Sequence, residues 1–545
     1  MRAMRGLVLT VGLTLAAATA LPAFAAGQRA RAAATALDPA TLTIVQAQAA
    51  FTTRAMTSEA LVRVFLARIE KYEAAYNAFI LMNPTALDEA RAIDKRRAAG
   101  EVLGPLAGIP VVVKDSLDMA GLPTTAGWAG LTASAGGVNA IPGRDATVVR
   151  RLRAAGAIIL GKTNLPVFAI SGDNANDSAA GPTHNVLNRN WAPGGSSTGT
   201  ATAVAAGFAL AGIAEETGGS IQNPAAAQGL VGIKPTFALV PNAGGLPQAG
   251  STRDVFGPIA RTLEDAAIML DVLAGYSLDD LKTTASLGNL PPEGYAKALS
   301  SKPLKGARIG LYGPGWHASG RELTPETQTL YARALAALTD KGAIVVEDPF
   351  AGSGFADLAK GAGYDWRGSE ALPYELDQYL RNLGPSSAVH SLADLDRATK
   401  PLFGPEGALR VFTRSLPTLA LSLADPTVPP DMTDFARLRA NYLRVFNAVM
   451  KQKNLDALLF PQQFAPLGDL KGGHVNATTV SEINIAGLPG VILPSGAYAD
   501  GKPFALIFVG ALWSESTLLS YANDLAPALP PRIVNTALET KPLAR

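Results

Sequence analysis

GIPVVVKDSLD (residues 108–118), followed by DATVVRRLRAAGAIILGKTN (145–164), decides the class of fold. Its β-branched run at 111–113 predicts that 108–118 is a buried strand. The apolar spacing from Val148 onward predicts a helix that feeds a second strand at 157–160. Strand and helix therefore alternate, as in α/β proteins. Toward the N-terminus, TSEALVRVFLARIEKYEAAYNAF (57–79) has helical periodicity with a Ser/Glu start signal, and NPTALDEARAIDKRRAAGE (83–101) reads as a second helix ending at Gly100. Toward the C-terminus, the small residues of 201–211 predict a helix able to lie close on a sheet, and 212–216 runs into the glycine-rich loop TGGSI. The stretch 276–440 is richer in Pro, Gly and charge. It is expected to form an inserted, peripheral lobe, with strands at 308–312 and 344–347 and a helix at 326–341. Strand texture returns in DALLFP (456–461), GVILPSG (490–496) and FALIFVG (504–510), which are expected to rejoin the first part in one sheet. The core is then discontinuous, about 40–275 and 440–530.

The 545 residues are 48% hydrophobic and 17% charged, enough apolar material for a large core. A net charge of +2 gives no field that argues for nucleic acid or an anionic membrane, so the expected partner is a small, mostly neutral molecule. With 54 glycines and 38 prolines the chain must turn often, which speaks against an all-helical fold. The absence of cysteine excludes disulfides, thiolate catalysis and cysteine-ligated metals. The four histidines, His184, His317, His390 and His474, are scattered and form no HExxH, so no metal and no other cofactor is expected.

Residues 1–25 read as a secretory signal peptide: Arg2 and Arg5, an apolar run from Leu7 to about Ala18, then Ala23-Phe24-Ala25 in the small-x-small pattern of a cleavage site. The run is shorter than the ~20 residues a bilayer span needs. The mature chain, 26–545, is expected to carry 45 basic and 45 acidic residues, to be periplasmic or secreted, and to have no stable membrane association.

Two motifs mislead. GAIILGKT (156–163) satisfies the phosphate-loop expression, but its interior is a strand former where exposed backbone N–H groups are required. GSSTG (195–199) fits a nucleophile elbow at Ser197, yet NRNWAPG (188–194) before it is loop instead of the hydrophobic strand such an elbow needs.

Three residues remain that packing alone does not explain. Lys114 lies on an apolar strand, where desolvation disfavours the ammonium form and leaves an amine able to act as a base; the alternative is an edge lysine reaching out to water. Asp115 points to the opposite face of that strand and should not reach the same amine. Ser220 follows Gly218 and Gly219, whose lack of side chains lets successive N–H groups converge on one point, as an oxyanion requires. Ser196 lies in a second Gly/Ser loop 24 residues earlier, across a small-residue helix that can bring the two hydroxyls together.

GIPVVVKD, GKTN (161–164), APGGSSTG (192–199), ETGGSIQNPAAAQGLVGIKPT (216–236) and GPIART (257–262) together resemble the amidase signature family, over about 40–275 and again over about 440–525. Within it the chain is similar to bacterial peptide amidases, including GVILPSG and FVGALWSE near the C-terminus. The resemblance implies a triad of Ser220 as nucleophile, Ser196, preceded by a cis peptide bond, as proton relay, and Lys114 as base. It also implies oxyanion donors on the backbone of Thr217, Gly218, Gly219 and Ser220, with Ser197 supporting the lysine. Glu215 and Glu216 stand where Thr-Asp is usual, Gln222 replaces a common Arg and Thr198 a Gly. Phe168, His184, Phe256 and Trp513 are candidate pocket walls by neighbourhood.

The resulting expectation is an α/β protein with a single large mixed β-sheet sandwiched by helices and a peripheral helical lobe. Its expected activity is that of an exported, cofactor-free serine amidase hydrolysing a small-molecule or peptide carboxamide. An esterase or urethane hydrolase with the same triad, and a non-catalytic periplasmic binding protein with the same fold, are the alternatives. Membership of an amide-transfer complex acting on tRNA is disfavoured by the leader.

Overall fold

Short runs of Val, Ile, Leu and Ala supply the strands. In chain order they are β1 (Phe79–Met82), β2 (Pro110–Lys114), β3 (Ile158–Thr163), β4 (Ala211–Glu216), β5 (Val231–Lys234), β6 (Val255–Ala260), β7 (Arg308–Leu311), β8 (Ile344–Val346), β9 (Ala457–Pro461), β10 (Gly490–Ala497) and β11 (Pro503–Val509). They are fully buried in β2–β6, β9 and β11, as expected where both faces of a sheet are covered, and less buried in the two edge strands, β1 and β8. In this computed structural model, which describes residues 38–535 and 538 apart from 318–319 and 361–362, all eleven join one sheet in the order β1-β3-β2-β4-β6-β5-β10-β11-β9-β7-β8. The leader expected at 1–25 lies outside the described residues. The sheet is mixed: β2 is parallel to β3 and β4, and β7 to β8 and β9, while the central strands from β4 to β9 pair antiparallel. Helices flank it, and the C-terminal strands return beside β5 as expected.

Four sequence expectations need correction. The helix expected at 201–211 runs instead over Thr198–Ala205, and Ala211 already opens β4. Gly207, at φ 70°, ends the helix, and a Cβ there would stand 2.9 Å from Ala40 Cα. The strand expected at 157–160 extends to Thr163, and that of 108–118 is confined to Pro110–Lys114. Finally, 276–440 is not wholly peripheral. β7, the helix Pro325–Asp340 and β8 form a strand-helix-strand unit that extends the sheet beyond β9, because two parallel neighbours need such a crossover. The later part of the stretch has its own apolar cluster, in which Leu372, Leu376 and Leu380 pack with Ala126, Phe168 and Leu246 from loops of the first half. A larger core around Trp316, Phe350, Phe355, Phe446 and Phe460 lies at the β9 end of the sheet. No helix among the described residues is long and apolar enough to cross a membrane.

Candidate active site

Three adjacent pieces of backbone bring the expected residues together. Lys114 is the last residue of β2, and its apolar strand buries it completely. Ser196 sits in the loop just before the helix Thr198–Ala205, after a cis Gly195–Ser196 peptide. Ser220 follows β4 by way of Thr217, Gly218 and Gly219. The two serine loops are tied by the amide of Ser197, which donates to the carbonyl of Ser220 at 3.3 Å. Lys114 Nζ then lies 2.7 Å from Ser196 Oγ, and Ser196 Oγ 2.8 Å from Ser220 Oγ. This is an unbroken line of three polar atoms, ending at a serine that is 4% exposed.

The turn that carries Ser220 is clamped from behind. Gly219 has φ 94°, and a Cβ on it would stand 2.8 Å from Val480 Cγ2, so only glycine fits. One oxygen of Glu216 accepts the amides of Ile221 at 2.7 Å and Gln222 at 3.1 Å; the other accepts Asn484 Nδ2 at 2.7 Å. Gln222 donates its own side-chain amide to Glu216 and accepts Thr479 Oγ1 at 2.8 Å. Glu216 and Gln222 therefore clamp the turn together. Buried Arg253 donates to the carbonyl of Thr217 at 2.9 Å and reaches the carbonyls of Asp365 and Arg367 at 2.7 and 3.0 Å, linking the turn to the peripheral segment.

Burial pushes the Lys114 amine below its ordinary range, against the opposing pull of the Glu215 carboxylate. Asp115, as expected, does not meet this amine; it pairs with Lys162 at 2.7 Å. The carboxylate that does touch Lys114 is Glu215, on the neighbouring strand, and its carbonyl lies 3.1 Å from the same Nζ. Sequence reasoning singles out Glu215 as a departure but misses this contact. Ser197 Oγ donates to that same carbonyl at 3.1 Å. Thr198 opens the helix, buried.

The four candidate wall residues form no hydrogen bond with Lys114, Ser196 or Ser220 among the described residues. His184 Nδ1 lies 3.0 Å from the Arg189 carbonyl, and the Trp513 amide donates to Thr236 Oγ1 at 2.9 Å. Phe168 belongs to the apolar cluster under the peripheral segment. Phe256 pairs with Glu215 across β4 and β6 and borders a cavity of about 500 Å³.

Residues 60–519 match the profile of the Amidase family. The chain belongs to the amidase signature family. Among curated relatives of this amidase is a glutamyl-tRNA(Gln) amidotransferase component from Nitratidesulfovibrio vulgaris, 36% identical over 90% of this chain and 97% of its own length. Its counterpart in Moorella thermoacetica is 34% identical over 86% and 92%. Among solved structures, the native peptide amidase from Stenotrophomonas maltophilia is 32% identical, with a TM-score of 0.72 over 91% of this chain and 99% of that one. Hydrolysis of an amide C–N bond is the activity that membership of the family assigns to the chain.

Proposed function

We propose that this amidase is an exported serine hydrolase of linear carboxamides that works through an acyl-enzyme on Ser220. The observation that carries the reading is the line Lys114 Nζ, Ser196 Oγ, Ser220 Oγ, with steps of 2.7 and 2.8 Å. Ser220 Oγ attacks the carbonyl carbon as its proton passes to Ser196 Oγ and the proton of Ser196 passes to neutral Lys114. The amide N–H groups of Thr217, Gly218, Gly219 and Ser220 bind the oxyanion, each donor worth about 10²–10³-fold in rate. The C–N bond breaks as the proton returns through Ser196 to the leaving nitrogen. Water, deprotonated by the same relay, then cleaves the ester.

A fluorophosphonate probe is expected to label Ser220 and no other serine, and amides are expected to turn over under the same conditions. Labelling elsewhere, or turnover of esters and urethanes alone, overturns the reading. The relatives named as amidotransferase components favour a second reading, passage of the amide nitrogen to an acceptor; amide hydrolysis by the isolated chain without an acceptor counts against it.

Export is supported by the sequence of residues 1–25. N-terminal sequencing of the protein recovered from the periplasm or medium is expected to begin at Ala26, and an intact Met1 there would refute cleavage.

A further inference from the structure

Nζ of Lys114 has three close neighbours: Ser196 Oγ at 2.7 Å, the Glu215 carbonyl at 3.1 Å and the Glu215 carboxylate oxygen Oε2. A neutral amine has two N–H donors and one lone pair. If both N–H groups go to Glu215, the lone pair is left for the hydroxyl of Ser196. We propose that Glu215 is a positioning residue for Lys114: it aims the lone pair at Ser196 and acts as counter-ion for the ammonium that forms when the proton arrives. The inference rests on the triad reading above. No bond to Glu215 is made or broken; only the amine changes, from NH₂ to NH₃⁺ as the proton arrives and back as it leaves.

The hydroxyl beside that carboxylate is shared with a second one. Thr217 Oγ1 lies 2.9 Å from Glu215 Oε1 and 2.5 Å from Asp254 Oδ1, and one hydroxyl proton cannot serve two carboxylates. A proton on Asp254, donated to Thr217, lets Thr217 donate in turn to Glu215. Burial and the Glu215 charge push Asp254 up to about 7, in keeping with that arrangement. The amides of Gln248 and Ala249 hold its other oxygen at 2.9 and 3.0 Å. The remaining charged groups nearby are engaged elsewhere: Glu216 in its clamp, Arg253 on backbone carbonyls, and Asp115 with Lys162 on the far side of β2.

The sign of the effect is fixed by electrostatics. An adjacent carboxylate favours the ammonium, so removing it lowers the pH at which the lysine becomes a base. The test is the rate of Ser220 labelling by a fluorophosphonate against pH in the full-length protein, for wild type, the isosteric Glu215→Gln and the smaller Glu215→Thr, with thermal unfolding followed in parallel. The rising limb is expected to move down by about one to three pH units in both variants, and the plateau to fall by at least about tenfold. A limb that stays in place while the plateau falls would show a merely structural role and overturn the proposal. Wild-type protein that does not label at Ser220 would instead overturn the triad reading, and this inference with it.

Discussion

Ser220→Ala lowers kcat for amide hydrolysis by about 10⁶-fold, the loss typical when the nucleophile of a serine hydrolase is removed, and leaves the folded protein intact. The effect is large because the rest of the relay has nothing to activate: Ser196 and Lys114 remain in line at 2.7 Å, but no hydroxyl is left to form the acyl bond. Stability should change little, since the removed hydroxyl belongs to a residue 4% exposed whose turn is held independently by Glu216 and Arg253. Steady-state kinetics on a panel of carboxamides, with thermal unfolding alongside, checks both halves. Retention of more than about a thousandth of wild-type kcat would remove Ser220 from the chemistry.

Lys114→Met is expected to damage both function and fold. Methionine has similar length and no base, so labelling of Ser220 and hydrolysis should vanish together. It also strands the Glu215 carboxylate in a site where both side chains are at most 3% exposed, and an uncompensated buried charge costs about 3–5 kcal/mol. Combining it with Glu215→Leu is expected to restore most of that stability and none of the activity. Denaturant unfolding of the single and double variants measures the coupling. A double variant no more stable than Lys114→Met would show that the pair is not what holds this part of the core together.

Much of the candidate site is legible in the sequence because its chemistry is local. Strand burial of Lys114 follows from the valines before it, and the two glycines before Ser220 announce a turn, which at Gly219, with φ 94°, no larger residue could make. The phosphate-loop match fails for the reason its residues give, since β3 occupies the interior of GAIILGKT. The lobe boundary is less legible: β7 and β8 lie inside a stretch whose composition looks peripheral, because a two-strand extension at a sheet edge is too short to alter composition.

From the amino-acid order alone come the α/β class, the discontinuous core, and the three residues Lys114, Ser196 and Ser220, each read from its own neighbours. Tertiary structure alone decided what stands behind the lysine. β2 and β4 run parallel with Val113 opposite Ile213, which carries Glu215 past the end of β2 and onto the amine, 101 residues away in the chain. A strand's own hydrophobic pattern says which face is buried, but which distant strand lies beside it depends on packing across the whole sheet.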